Sequence, residues 1–548
     1  MVGLTVRFPK TSLALAVVLV ALCWLYVFPY SRSLNNPNER TRVMQAVALG
    51  TRGALDIGFA SEADGEVWYH DAIGGRHRRL FVNDVALVCE EPGAEPPRCA
   101  GLMYPAKAPG AALLGAPAVG LGAALGLFDP RSRAEARATW LARVGGVTFP
   151  LLLGLLGFAY LCRRFGVTYE VVVPAVIALG LGTTVFSYGV MFVGHALAGA
   201  CLVGGLALLV RARDDETVGA HVWALVGGIV TAFAVMLEYH AAIAVACVGV
   251  WTLLTGARKR LVPGFAVGGG LTLSLFLAMH HAMFKHPLWT GHHWLASEHN
   301  RASQAGGFLG MDGLHLHSTA DHLVDPYMGL LPIMPWLGLG AVLGGAALWR
   351  DRRLLGGAGW ALVGIVVVYL LFVSTLGQWR TMNGWSVGPR YLVPAIMPLA
   401  VLATVGWQRL EAAGRGHWMR GLAAASVVVV GAITVSTPSP PPSTFNTFAE
   451  VAVPTLLAGY GVRSIGLIFG LGGWSLVPWF VLGFLACALV VWDRTSRVWW
   501  RRVLAVTVAL AVMFGWSYGL AKLHPRPPKN QKLHRIEGQT PKGGGRFF

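Results

Sequence analysis

The chain has 548 residues, 55% of them hydrophobic and 13% charged, with a formal charge of +18. Soluble globular chains carry about 25% charged residues, so this composition excludes a water-soluble enzyme and describes a polytopic membrane protein. The excess of Lys and Arg would point to nucleic acid in a soluble chain. Here it lies mostly in short turns between apolar runs, where the positive-inside bias accounts for it without a nucleic-acid partner.

Met1 to Lys10 is short and basic. Thr11 to Tyr30 is apolar and matches the ~20 residues that a bilayer crossing needs. No small-residue cleavage site follows it, so residues 1–30 read as a retained first span leading outward. Residues 31–139 form a large polar loop, and its Asn35–Gly110 portion holds ten of the chain's 26 acidic residues. In that loop Val43, Met44, Val47 and Ala48 recur at helical spacing. The pattern predicts an amphipathic helix over Arg40–Gly50, lying on the membrane surface with Asn38 as N-cap. Short strand-like pieces between Val67 and Val88, such as Arg79–Asn83, predict a small hairpin. Cys89 and Cys99 flank an acidic, Pro-rich run. In an oxidising compartment they would pair, and otherwise they remain two free thiols. Cys23, Cys162, Cys201, Cys247 and Cys487 lie in or beside apolar runs and read as packing residues. Ala111–Phe128 is apolar, rich in Gly and Ala, with Pro117 inside. Because the next span must run inward, this stretch should lie in the interface or re-enter.

Residues 140–520 form the transmembrane domain. Basic turns at Arg163–Arg164, Arg211–Arg213, Arg258–Arg260, Arg350–Arg353, Arg409–Arg420 and Arg494–Arg502 mark the cytoplasmic side. Together with the first span they imply about thirteen crossings. Thirteen would leave the basic tail, residues 521–548, outside, whereas its charge argues for the cytoplasm. Polar and aromatic residues collect in the outer loops while the spans lack charge, which suits an enzyme of the outer face better than a pump. There is no P-loop and no G-x-S-x-G turn.

Several short pieces follow one another along the chain: Asn38-Glu39-Arg40 after the first span, Lys107-Ala-Pro-Gly110, Phe192-Val-Gly-His195, Leu237-Glu-Tyr239, Gly307-Phe-Leu-Gly310, Asp325-Pro-Tyr-Met-Gly329 and Gly384-Trp-Ser-Val-Gly-Pro-Arg-Tyr391. In this order and spacing the chain resembles the GT-C membrane glycosyltransferases of the protein O-mannosyltransferase and aminoarabinose-transferase superfamily, in a bacterial branch. The resemblance implies an all-α polytopic bundle with a large first extracytoplasmic loop, placed in the bacterial inner (cell) membrane. It implies a polyprenyl-phosphate sugar as donor and an inverting hexosyl or pentosyl transfer to an acceptor hydroxyl on a glycan, lipid or protein of the cell envelope. The acid after the first span would be the base, here Glu39, because an acceptor hydroxyl must lose its proton as it attacks. The leaving lipid phosphate needs cations, for which Lys107 and Arg390 are the candidates. Arg42, Asp56, Tyr104, His195, Glu238, Trp385 and Tyr391 are supporting residues. Related chains carry an acid just before Lys-Ala-Pro-Gly, where this chain has Ala106.

Each assignment has a plainer reading. Glu39 could cap a helix or pair with Arg42, Lys107 and Arg390 could be interface anchors, and Asp56 could be a turn former. Nine His between His280 and His322 include His315, His317 and His322, which with Asp321 could take zinc, at a spacing that matches no standard finger. Some members of the superfamily use a divalent metal and others none, so no cofactor and no metal ligand is assigned. The competing functions are a lipid-carrier flippase or secondary transporter, and a non-catalytic degenerate transferase subunit. Single cysteines introduced at His70, Asn300 or Gly384 should be labelled from outside in intact cells, and those at Arg213 or Arg352 should not; labelling at 213 would overturn this sidedness.

Overall fold

The structure, a computed structural model, describes residues 10–28, 36–63, 66–71, 75–80, 82, 84–91, 96, 99–129, 135–298, 301, 311–327, 329–351, 357–377, 386–437, 439–440, 444, 446–492 and 499–521. Helix α1 (Lys10–Tyr26) is apolar from Leu13 onward and seats Trp24 in the core, where its Nε1 donates to Gly180 O at 2.9 Å. The chain leaves it through a two-residue strand, β1 (Val27–Phe28), which pairs antiparallel with β7 (Arg463–Ser464). Buried Arg143 donates from Nη1 to Val27 O at 2.6 Å, so the exit of the first helix is tied to a residue far along the chain.

Helix α2 (Pro37–Arg52) starts one turn earlier than the apolar spacing indicates. Pro37 fixes the first helical φ, and Asn36, not Asn38, is the cap, its side chain accepting from Asn38 N. Nor does α2 lie with a polar face in water. Every residue from Asn38 to Ala48 except Arg40 is buried. Its partner is α3 (Gly110–Ala124), the Gly- and Ala-rich stretch. A Cβ on Gly50 would sit 2.4 Å from Ala116 O, and one on Gly120 would sit 2.5 Å from Gly50 O, so the two backbones touch where neither carries a side chain.

Between these helices lies a five-stranded antiparallel sheet, an addition to the all-helical expectation. Its strands are β2 (Gly58–Ala63), β3 (Glu66–Asp71), β4 (Arg76–His77), β5 (Val85–Cys89) and β6 (Gly101–Pro105), in the spatial order β4-β3-β2-β6-β5. In the stretch expected to form the hairpin, β3 pairs antiparallel with β4, and β3 pairs on its other edge with β2; Arg79, expected in a strand, falls in a bend. Strands β5 and β6 pair from Val85↔Pro105 to Cys89↔Gly101, and a Cys89–Cys99 disulfide closes the far end.

The remaining helices run α4 (Glu135–Arg143), α5 (Phe149–Arg164), α6 (Tyr169–Leu181), α7 (Thr184–Gly189), α8 (His195–Asp214), α9 (Gly219–Leu237), α10 (Ala241–Leu254), α11 (Arg258–Phe284), α12 (Leu316–Val324), α13 (Pro335–Arg350), α14 (Ala358–Ser374), α15 (Val393–Ala412), α16 (Gly416–Ser436), α17 (Val477–Val491) and α18 (Trp499–Ala521). A wide π turn at Val144–Thr148 joins α4 to α5. Seven helical stretches among the described residues are long and apolar enough to cross a bilayer, the first being Ala136–Arg164, and further apolar helices such as α1, α6, α10 and α14 are shorter. The basic turns near Arg164, Arg211, Arg260 and Arg420 are tied together at one end of the bundle. Arg164 pairs with Asp214 at the end of α8, Arg260 donates to Asp215 O, and Arg420 bonds both Glu411 and Glu170 O at the start of α6. The start of α8 and the end of α9 lie at the other.

The β5–β6 staple should matter to the sheet. Cys89→Ser is expected to lower unfolding stability by about 2–4 kcal/mol, read as a lower melting temperature, and reductant should lower the wild type alike. Recovery of both residues as free thiols from protein prepared without reductant would refute the pairing.

Candidate active site

Four segments end at one place. Helix α8 begins at His195, α9 ends at Leu237 with Glu238 extended after it, His240 precedes α10, and Arg390 opens the turn into α15. Two glycines let them close on one another. A Cβ on Gly194 would stand 2.5 Å from Leu237 O and 2.9 Å from Glu238 Oε1, and one on Gly110 would stand 2.5 Å from Met236 O. Glycine in Lys107-Ala-Pro-Gly110 and in Phe192-Val-Gly-His195 therefore serves close approach to the end of α9.

Glu238 is the hub. Its Oε1 lies 3.0 Å from Nη2 of Arg42, whose side chain is completely buried, and 3.2 Å from His195 Nδ1; its Oε2 lies 3.8 Å from His240 Nε2. Arg390 Nε donates to His195 Nε2 at 2.9 Å. Because a guanidinium only donates, that contact makes Nε2 the acceptor and puts the imidazole proton on Nδ1, facing Glu238. Burial pushes the Glu238 carboxyl up, while Arg42, then Arg390 and Lys107, hold it down. Burial, helped by Arg390, lowers His240 to about 3, so its ring is neutral, with Nδ1 3.3 Å from Tyr369 OH. The Tyr391 ring stands edge-on to His240, and the Arg390 guanidinium lies 5.8 Å from the Tyr391 ring centre.

Glu39 sits one turn before Arg42 on α2. It is buried, and its Oε1 accepts from Phe192 N at 2.6 Å, on the segment that leads into His195. The cap of α2 belongs to Asn36, and the Arg42 guanidinium reaches Glu238. Lys107, between β6 and α3, is 19% exposed and lies 3.5 Å from Asp84 Oδ1. Burial lowers its ammonium, Asp84 counters that, and Arg390 and Arg42 act in the same direction as burial. Arg42, Lys107 and Arg390 thus feel one another's charge across one small region.

Other expected residues fall outside this cluster. Asp56 pairs with Arg52 one turn away, at 3.5 Å, in the exit from α2. Tyr104 packs edge-on against Phe284, and burial, with Asp56 adding to it, raises its phenol. Trp385 lies outside the described residues, as does the 307–310 piece. Sequence reasoning missed Asp84 and His240. His240 stood within reach, since it follows Glu238-Tyr239 directly; Asp84 carries no motif.

His195, Glu238 and His240 offer one atom each within 4.8 Å of one another, the group among the described residues that could hold a metal. The donor set does not fit a divalent cation in this arrangement. The lone pair of His195 is engaged by Arg390, and Arg42 stands against the same carboxylate oxygen that a cation would use. The His-rich loop does not assemble the zinc set. His315 pairs with Asp312 at 3.0 Å, and buried His322 uses Nδ1 on Ser318 O within its own helix.

No protein-family model and no curated protein matches the sequence. Among solved structures the chain is similar to ArnT from Cupriavidus metallidurans bound to undecaprenyl phosphate, at 16% identity over 93% of this chain and 77% of that one, with a TM-score of 0.48. The same protein in the apo state gives 16% identity, 93% and 76% coverage and a TM-score of 0.45. The archaeal oligosaccharyltransferase AglB from Archaeoglobus fulgidus, in complex with an inhibitory peptide and a dolichol-phosphate, gives 11% identity and a TM-score of 0.45, covering 94% of this chain and 60% of its own.

Arg42→Met should leave Glu238 buried without its cation and cost about 3–5 kcal/mol of stability. Adding Glu238→Gln to that variant should recover much of the loss. Thermal unfolding of the two single variants and the double variant measures this, and strictly additive losses would break the pairing.

Proposed function

We propose that the chain is a membrane glycosyltransferase that moves a sugar from a polyprenyl-phosphate donor to an acceptor hydroxyl at the outer face, inverting the anomeric carbon. The observation that carries this reading is the gathering of Arg42, Lys107 and Arg390 with buried Glu39 and Glu238, from distant segments, at one end of an apolar bundle. Cations at that depth suit an anionic headgroup held by a lipid tail.

An apolar groove of about 500 Å³ adjoins the cluster. Leu114 and Leu197 line its near end, four residues past Gly110 and two past His195, and Arg211 lines its far end. Along α8 the distance from Leu197 to Arg211 is about 20 Å, room for the first isoprene units of the tail. In the transfer, Glu39 takes the acceptor proton as the hydroxyl oxygen attacks the anomeric carbon. The bond from that carbon to the phosphate oxygen breaks on the opposite side, and its electron pair leaves with the polyprenyl phosphate. Lys107 and Arg390 meet the charge that grows there. Glu238 keeps its place as the buried partner that orients Arg42 and His195, and through His195 Arg390.

Glu39→Gln should cut turnover by roughly 10²–10⁴-fold and spare donor binding. The assay is incubation of the purified protein in lipid with a panel of polyprenyl-phosphate sugars, read by mass spectrometry. A flippase has no use for a base at this position, so unchanged turnover in the variant would overturn the proposal.

A further inference from the structure

We infer that Asp84 is the positioning residue of the donor-phosphate site, holding Lys107 in place across the β5–β6 hairpin. This rests on the reading of Lys107 as a ligand of the donor phosphate.

The placement follows from strand register. Val85 pairs with Pro105, so the next residues outward, Asp84 and Ala106, face each other, and Ala106 N donates to Asp84 O at 3.0 Å. The ladder thus runs one step past the strands and delivers the Asp84 carboxylate beside the ammonium of the next residue, 3.5 Å away. The backbone here is held from both sides. Beyond β6 on one flank, Ala296 N donates to Val85 O and Ala86 bridges to Leu295 on the other. The Cys89–Cys99 disulfide fixes the opposite end of the hairpin.

Position 106 itself offers little room for a carboxylate. Ala106 is fully buried, and a Cβ on Gly291 would come within 2.5 Å of its Cα. The backbone of Ala106 thus packs directly on the start of the Gly291–Trp294 turn.

The other titratable groups around Lys107 are Arg390, Arg42, Glu238, His195 and His292. Arg42 is engaged with Glu238, and Arg390 with His195. Burial, with Lys107 adding to it, lowers His292 to about 3, so that ring is neutral. Among the described residues the ion pair of Lys107 is Asp84. Lowering of a lysine pKa means that its cation is complete at low pH and is lost as pH rises through the lowered value. Asp84 opposes that loss, so its removal moves the loss to lower pH.

The test uses the full chain in lipid nanodiscs with a polyprenyl monophosphate as probe, titrated above about pH 8, where the probe phosphate is almost wholly dianionic. Asp84→Asn should move the pH at which affinity falls to a lower value than in wild type, and Asp84→Glu should restore much of it. A thermal melt of each variant confirms that the fold persists. Lys107→Ala separates the two layers of the argument. If it weakens probe binding while Asp84→Asn leaves both affinity and pH profile unchanged, the role of Asp84 is refuted and the phosphate site stands. If Lys107→Ala leaves binding unchanged, both fall.

Discussion

The buried pair of Arg42 and Glu238 is the constraint on which the site depends. Neither group can be solvated where it sits: the Arg42 side chain has no exposed surface and that of Glu238 has 10%. A single buried charge is strongly destabilising, so α2 and the end of α9 must arrive together or not at all. That requirement places Glu39, one turn away on α2, against the backbone of Phe192. It also sets His195 beside the carboxylate, which turns the ring so that its remaining nitrogen accepts from Arg390. One ionic contact thereby fixes the position of a carboxylate, an imidazole and a second guanidinium.

The glycines explain why these segments come close enough. Gly110 and Gly194 press on the same three residues, Met236 to Glu238, from two directions. Side chains at those positions would hold the Lys107 loop and the start of α8 away from Glu238. The cationic cluster is therefore a consequence of missing side chains as much as of the charged ones, and the apolar bundle behind it serves as a rigid frame.

The apolar spans, the basic turns and the polar first loop were legible because membrane burial writes a strong, long-period signal. The segments bearing Glu39, Lys107 and Arg390 were legible as short motifs. The state of α2 was not. Val43, Met44, Val47 and Ala48 mark one apolar stripe, but hydrophobic periodicity cannot tell a polar face that meets water from one that meets a site. Here Asn38, Glu39, Arg42 and Gln45 are all buried. The sheet escaped because its strands are two to six residues long, too short for alternation to stand out. Asp84 escaped because its importance comes from strand register, a relation between residues about twenty positions apart that no local pattern records.

The Arg42–Glu238 contact joins residues 196 positions apart. At about 5–20 residues per second, synthesis delivers Glu238 roughly 10–40 s after Arg42, and Arg390 later still. During that interval the arginine has no carboxylate to pair with, whereas Phe192, whose N–H donates to Glu39, is already made before Glu238. The contact of α2 with the end of α9 can thus form only after α9 is made, and the cationic cluster closes only when the start of α15 arrives. Assembly order is built into the contact: a chain released before α15 would carry the carboxylates and Lys107 but not the arginine that completes their field.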